Sequence, residues 1–313
     1  MKPAQDLAGV IPGVDRLPLK AVASLLVLSL IWGAGWAVVK MGGRDFAPLF
    51  MAGLRSVVAG ACLWAWMIYK GVPAFPSRIV VFHGAVAALI FTVEFVLIYL
   101  GLMFTLASRV YILLYTAPFF AAVGAHFLLP GDRLNLWKSL GLVLAFSGTA
   151  LLFVDGLGRF ELSNLVGDLM ILGGGLMWAL SSIYVKKYLM DRAQPVQILL
   201  SSLIFSMPLF FAASLIWEKP MVMSVSWLGI FSLFFQSVIT AFITYLAWLE
   251  LMSRYPVSLL HAFSFFTPVF GVFISGYLLL DEAIGWNLIA GLVLVCLGMI
   301  LVNRRVSSPP LVD

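Results

Sequence analysis

Residues 19–39 read LKAVASLLVLSLIWGAGWAVV, with Lys20 at the edge as their only charge. As a helix rising 1.5 Å per residue, a stretch of about 20 apolar positions covers the roughly 30 Å hydrocarbon core of a bilayer. No small-residue cleavage site follows it, so it reads as a retained span rather than a signal peptide. Similar apolar runs occupy 47–69, 79–103, 109–129, 136–155, 165–186, 197–216, 226–250, 256–280 and 284–303. Runs this long far exceed the 9–11 residues of a membrane strand, so the expected fold is an all-α polytopic membrane protein of ten transmembrane helices.

The composition of the whole chain agrees. Of 313 residues, 63% are hydrophobic and 11% charged, against about 25% charged in soluble domains. The mean hydropathy is +1.08. A cytosolic enzyme, a nucleic-acid binder and a disordered chain are thereby excluded. Cys62 and Cys296 both sit in apolar runs, with no metal-ligand or disulfide spacing. Each connection carries breaker chemistry, such as Gly42-Gly43, Gly71 with Pro73 and Pro76, Pro130-Gly131, Gly156 with Gly158, Pro195 and Pro220.

Basic residues orient the spans. On the N-terminal side lie Lys2, Arg16, Lys20, Lys70, Arg78, Arg133, Lys138, Lys186, Lys187, Arg192, Arg254, Arg304 and Arg305; opposite them are only Lys40, Arg44, Arg109, Arg159 and Lys219. Thirteen against five puts both termini in the cytoplasm.

The chain is also duplicated. Trp32 and Lys40 of the first span are answered by Trp178 and Lys186 of the sixth, and Ser108-Arg109 by Ser253-Arg254. Further on, Pro118 pairs with Pro268, Asp132 with Glu282, Gly141 with Gly291 and Gly148 with Gly298. The expected organisation is a tail over 1–18, a five-helix repeat over 19–155, a second over 165–303 and a tail over 304–313. Five is odd, so the second copy enters the membrane from the other side. Inverted repeats of this kind underlie alternating access in secondary transporters.

Polar residues inside spans mark where a solute would be handled. Arg55 lies about 12 Å into the second span from its outer end at 1.5 Å per residue. Glu94 lies at a similar depth in the third, so the two are candidates for a charge pair or gate. The eighth span carries Gln236, Thr240 and Thr244 at four-residue intervals, a helical stripe. Trp32, Trp36 and Lys40 form another on the first span, and Trp178, Ser182 and Lys186 on the sixth. Tyr111 and Tyr115 on the fourth, repeat-related Tyr99 and Tyr245, and His261 on the ninth complete the cavity candidates. Pro118 and Pro268 are the hinge candidates. Small residues such as Ala117, Ala121 and Ala125, and the paired glycines, permit close packing; the helices bearing those glycines could equally meet a second subunit.

His83, His126 and His261 are scattered, and no metal cluster, nucleotide loop or nucleophile triad is visible. Neither cofactor nor metal nor enzymatic activity is expected. No stretch is long enough for an ATPase domain, so uphill movement would draw on a gradient, with proton coupling through Glu94 one option.

The stretch Leu30-Ile31-Trp32-Gly33-Ala34-Gly35-Trp36 running to Lys40 continues with Pro48, Arg55, Tyr99, Leu106-Ala107-Ser108-Arg109, Pro118 and Gly141 through Gly148. The second copy supplies Trp178 to Lys186, Ser253-Arg254, Pro268 and Leu279 to Glu282. As an ordered set this resembles the drug/metabolite transporter superfamily, specifically its ten-helix EamA-type permeases. The resemblance implies a helical basket whose third, fourth, eighth and ninth helices line a central cavity. The first and sixth would border it, and the fifth and tenth would lie outside. The seventh span departs from the pattern, having Pro195 but no following arginine.

The resemblance further implies a secondary transporter in the cell membrane, here a bacterial inner membrane. It would export amino acids or similar small amphipathic metabolites by alternating access. Aromatic cations, drugs or nucleoside-like compounds would suit the same aromatic cavity. A reading of another class is a membrane enzyme or lipid-binding scaffold. The expected partners are a small-molecule solute and the lipid bilayer, with no nucleic acid; monomer and homodimer stay open.

Overall fold

A computed structural model describes residues 17–154, 164–274 and 286–304. Lys2, Arg16, Gly156, Gly158, Arg159, Leu279, Glu282, Arg305 and most of both tails lie outside them. The helices are α1 (Leu19–Gly42), α2 (Pro48–Lys70), α3 (Arg78–Gly101), α4 (Ala107–Leu114), α5 (Ala117–Leu128), α6 (Leu136–Leu152), α7 (Leu165–Tyr188) and α8 (Pro195–Trp217). There follow α9 (Trp227–Phe234), a π-helical segment Phe235–Thr244, α10 (Tyr245–Arg254), α11 (Val257–Phe263), α12 (Phe266–Val272) and α13 (Trp286–Val302).

Local sequence explains the boundaries. Pro48 and Pro195 open α2 and α8, where a missing N–H costs nothing. Ser77, Asn135 and Ser226 cap α3, α6 and α9 by accepting from the first-turn amides Val80, Lys138 and Gly229. Gly71, at φ +66°, ends α2 in the left-handed conformation.

Two long spans depart from uniform helix. α4 and α5 are separated at Tyr115-Thr116, and α11 and α12 at Ser264-Phe265. Pro118 and Pro268 follow these breaks. Each lacks an N–H, and its ring crowds the carbonyl four residues back, Leu114 or Ser264. The eighth span, expected as regular helix, holds the ten-residue π-helical segment.

Seven helical stretches among the described residues are long and apolar enough to cross a membrane: 19–42, 48–70, 78–101, 109–128, 165–188, 195–217 and 227–254. The other three expected spans are shorter apolar helices over the described residues, 136–152, 257–272 and 286–302. α6 has 17 residues, about 26 Å at 1.5 Å per residue against the roughly 30 Å core, and α13 is described over 17 residues from Trp286 onward. The ninth is described as helix only over 257–272 and is broken in the middle.

The bundle has two faces. At one, the Leu17 amide donates to Asn303 Oδ1 (2.8 Å), Gln197 Nε2 donates to the Pro73 carbonyl (2.7 Å) and Asp132 accepts from the Ser258 amide (2.9 Å). At the other, the Leu49 amide donates to Glu218 Oε1 (2.7 Å) and Arg109 pairs with Asp168. The described ends of the chain thus meet on one face.

Exposed tryptophans and tyrosines ring both faces: Trp66, Tyr69 and Trp137 at the first, Trp217, Trp227 and Trp286 at the second. This is the placement of aromatic side chains at membrane–water interfaces. Between the rings, Leu89, Val123, Val143, Leu176 and Val293 are exposed apolar side chains.

Inside, α2 packs along α8, α3 along α7 and α6 along α13, while α1 packs against α12, α9 and the π-helical segment. The α6–α13 seam consumes the paired glycines. A Cβ on Gly141 would lie 2.5 Å from the Gly298 carbonyl oxygen, and one on Gly148 2.6 Å from that of Gly291. These glycines are therefore spent on packing α6 against α13 within the chain. The alanine ridge is likewise buried, along α5, which packs on α7.

Candidate functional site

A cavity of about 210 Å³ occupies the centre of the bundle. The third helix supplies Phe91, Glu94, Phe95, Ile98 and Tyr99, which follow the three-and-four spacing of one helical face. Trp32, Gly35, Trp36 and Val39 enter from α1, Arg55 from α2, and Leu114 and Tyr115 from the α4 break. Opposite stand Trp178, Ser181 and Ser182 of α7, Leu199 and Ser202 of α8, Gln236 and Thr240 of the π-helical segment, Tyr245 and Trp248 of α10, and Thr267 of α12. Neither α6 nor α13 contributes. The second and seventh spans line the cavity more than expected, and among its described residues the ninth reaches it through Thr267.

Arg55 is 3% exposed and Glu94 7%. They share the cavity without forming a salt bridge, since no carboxylate oxygen lies within 4.0 Å of the Arg55 guanidinium. The expected charge pair is thus a pair of separate poles. The Arg55 guanidinium instead sits 4.6 Å from the Phe95 ring centroid and 5.9 Å from that of Tyr245. Its Nε and Nη2, and Glu94 Oε2, have no hydrogen-bond partner in the protein; nor do Thr240 Oγ1 and Thr267 Oγ1. All four side chains belong to the cavity wall.

Magnitudes show what such an arrangement requires. Placing an arginine at mid-membrane costs about 2.5–3.5 kcal/mol on insertion scales. A desolvated cation–π contact returns about 2 kcal/mol or more, so the Phe95 and Tyr245 rings offset much of that cost.

Of the expected cavity residues, Trp32, Trp36, Glu94, Tyr99, Tyr115, Gln236, Thr240 and Tyr245 line the wall, as does Arg55. Three others stand behind it. Tyr111 stacks on Phe153 with ring centroids 4.7 Å apart, although the i to i−4 bond from the Tyr115 amide to the Tyr111 carbonyl is kept (3.2 Å). Thr244 is fully buried and accepts from Trp32 Nε1 (2.8 Å) while donating to the Thr240 carbonyl (2.7 Å). The wider π-helical turn carries it off the stripe begun by Gln236 and Thr240. His261 is fully buried, 2.8 Å from Ser182 Oγ through Nε2 and screened by the Trp178 and Trp248 rings.

The span-end lysines differ from simple interfacial anchors on one side. Lys186 Nζ donates to the Met252 (2.5 Å) and Ser253 (3.3 Å) carbonyls, closing the end of α10, whereas Lys40 is exposed. Phe95, Trp248 and Thr267 were not among the sequence candidates. The first could have been found from its place on the Glu94 face of the third helix. Nothing in the local sequence marks Thr267 as facing the cavity. Among the described residues, no three His, Cys, Asp or Glu side chains gather to hold a metal ion.

The model of the EamA-like transporter family matches residues 19–154 and, a second time, 165–304.
The chain belongs to the EamA-like transporter family.
It is a multi-pass membrane transporter of a small-molecule solute. Among its relatives is a probable amino-acid metabolite efflux pump of Escherichia coli, 29% identical over 89% of this chain and 92% of the relative. The uncharacterized transporter YoaV of Bacillus subtilis is 24% identical over 90% of this chain and 96% of its own. A solved crystal structure aligns with a TM-score of 0.78 at 18% identity, covering 90% of this chain and 98% of that one. That likeness concerns the fold alone.

Proposed function

We propose that this EamA-type transporter exports zwitterionic amino acids, or closely related metabolites, across a bacterial inner membrane. The observation that carries the proposal is the pair of buried, unpaired opposite charges, Arg55 and Glu94, on one aromatic-lined cavity. Arg55 meets the solute carboxylate in charge-assisted hydrogen bonds, and Glu94 meets the ammonium. Phe91, Trp36, Tyr115 and Trp178 take the apolar part. A cavity of about 210 Å³ suits a metabolite rather than the drug-sized ligands of sites of roughly 300–1,000 Å³. The probable amino-acid metabolite efflux pumps of Escherichia coli and Salmonella typhimurium, 29% and 26% identical, support the same class and direction.

Transport proceeds by alternating access of two inverted five-helix repeats, 19–155 and 165–303, through ten spans with both termini cytoplasmic. The packing supports this: α2 meets its repeat counterpart α8, and α6 meets α13. Contacts of α3 with α7 are answered by those of the π-helical segment with α1, and those of α5 with α7 by those of α12 with α1. The breaks before Pro118 and Pro268 stand at repeat-related positions and serve as hinges. Glu94 is the residue through which a proton gradient would couple.

The density of aromatic rings around Glu94 favours one second reading, an exporter of aromatic cations held by cation–π contact. Counterflow in proteoliposomes separates the two. Vesicles preloaded with an unlabelled amino acid accumulate the labelled one if the proposal holds. Accumulation only with aromatic cations or nucleosides replaces it with the second reading, and none with any solute contradicts transport of either class.

A further inference from the structure

Resting on the zwitterion proposal, we infer that Phe95 is a specificity-determining positioning residue: its ring holds the Arg55 guanidinium away from Glu94 and so keeps both charges free for the solute. Phe95 and Glu94 are neighbours on α3, and both line the cavity. Two opposite charges buried in one low-dielectric cavity attract strongly, and their default arrangement is a direct ion pair. Here the guanidinium is seated 4.6 Å from the Phe95 ring centroid, with the Tyr245 ring 5.9 Å away on a different helix. No Glu94 oxygen comes within salt-bridge distance, while Arg55 Nε and Nη2 and Glu94 Oε2 lack protein partners.

The Phe95 ring is itself braced. It packs against Phe91 (4.9 Å), Tyr99 (5.6 Å) and Phe210 (6.0 Å), the last two tilted and edge-on respectively. A ring fixed on several sides is a platform rather than a mobile lid. Its π face attracts the cation without neutralising it, so an incoming carboxylate still meets a full charge. An arginine already bonded to Glu94 would have to exchange one carboxylate for another, and the ammonium would lose its partner at the same moment.

The test is isothermal titration of purified transporter with three probes of one shape: leucine, 4-methylpentanoate, which keeps only the carboxylate, and isopentylamine, which keeps only the amine. In Phe95→Leu, the dissociation constants of leucine and 4-methylpentanoate rise about tenfold, the size of a lost charge contact. Phe95→Trp retains wild-type affinity, since the π face remains. The decisive variant is Phe95→Leu combined with Glu94→Gln. Once the competing carboxylate is gone, affinity for 4-methylpentanoate returns toward the wild-type value. A merely structural role for Phe95 predicts no such recovery.

Unchanged affinity in Phe95→Leu, or a loss that Glu94→Gln does not reverse, overturns the inference while leaving the zwitterion proposal standing. Failure of the wild-type protein to bind leucine or 4-methylpentanoate overturns both. The folded state of each variant is checked by its melting temperature in detergent, and Phe95→Met replaces Phe95→Leu should the latter melt early. Methionine likewise lacks the π face and so must show the same loss, reversed by Glu94→Gln.

Discussion

Gly148 and Gly291 press backbone to backbone: a Cβ on the first would lie 2.6 Å from the carbonyl oxygen of the second, and a Cβ on the second 2.8 Å from that of the first. The contact is reciprocal because α6 and α13 are repeat-related helices that pack on each other. Neither touches the cavity. Any side chain at Gly148 must push α13 away, an overpacking cost of about 1–3 kcal/mol. Gly148→Ala is expected to lower the melting temperature in detergent while leaving the solute KM of the folded fraction unchanged; a changed KM at normal stability would tie this seam to the site.

Arg55 supplies the carboxylate contact, and hydrogen bonds to charged groups contribute about 1.5–3 kcal/mol each. Arg55→Gln should therefore raise KM for amino acids by about ten- to a hundredfold. Isopentylamine binding should be untouched or improved. Equal losses for both ligands, read by titration, would point to a misfolded cavity instead.

Thr244 shows how a buried hydroxyl can serve structure beside a site. It accepts the Trp32 indole N–H at 2.8 Å. Thr244→Val removes the acceptor and strands that donor, costing about 1–3 kcal/mol, whereas Trp32→Phe removes the donor and leaves Thr244 still bonded to the Thr240 carbonyl. Thr244→Val is expected to be the more destabilising at the hydroxyl–indole contact, and a double-mutant cycle by thermal unfolding measures the coupling.

Asp45, in the loop between α1 and α2, accepts from the Ser224 hydroxyl and from the Ser226 hydroxyl and amide, tying that loop to the one between α8 and α9. The two serine hydroxyls hold its pKa below the ordinary 3.8, against an opposing pull from burial. A depressed carboxylate stabilises the fold fully above its unfolded pKa, and that stabilisation is lost as pH falls through the lower folded value. Unfolding midpoints of the wild type should therefore drop below about pH 4 more steeply than those of Asp45→Asn. Parallel acid limbs for the two proteins would contradict this role.

How much of this was legible in the sequence follows from what each feature depends on. Apolar length and the placement of Lys and Arg need no tertiary information, so a helical bundle with its internal repeat could be read directly. Pro118 and Pro268 marked the helix breaks because a missing N–H acts locally. The fate of Tyr111 and Thr244 was hidden, since each depends on a tertiary neighbour, Phe153 or Trp32, that spacing along one helix does not reveal. The shortness of α6 was likewise masked by the apolar Phe153 and Val154 continuing past its end. Arg55 and Glu94 could be ranked by cost alone, but their separation over the Phe95 ring is a property of three side chains on two helices, which spacing does not encode.

The central claim is that the solute is recognised at both ends, by Arg55 and by Glu94. Its most direct test is counterflow with the labelled amino acid that accumulates best, competed by the same amino acid, its methyl ester and its N-acetyl derivative. Competition by the free amino acid alone, with each blocked derivative weaker by about tenfold or more, is the result expected. Competition by both derivatives as strong as by the free amino acid, or no amino-acid counterflow at all, would contradict it.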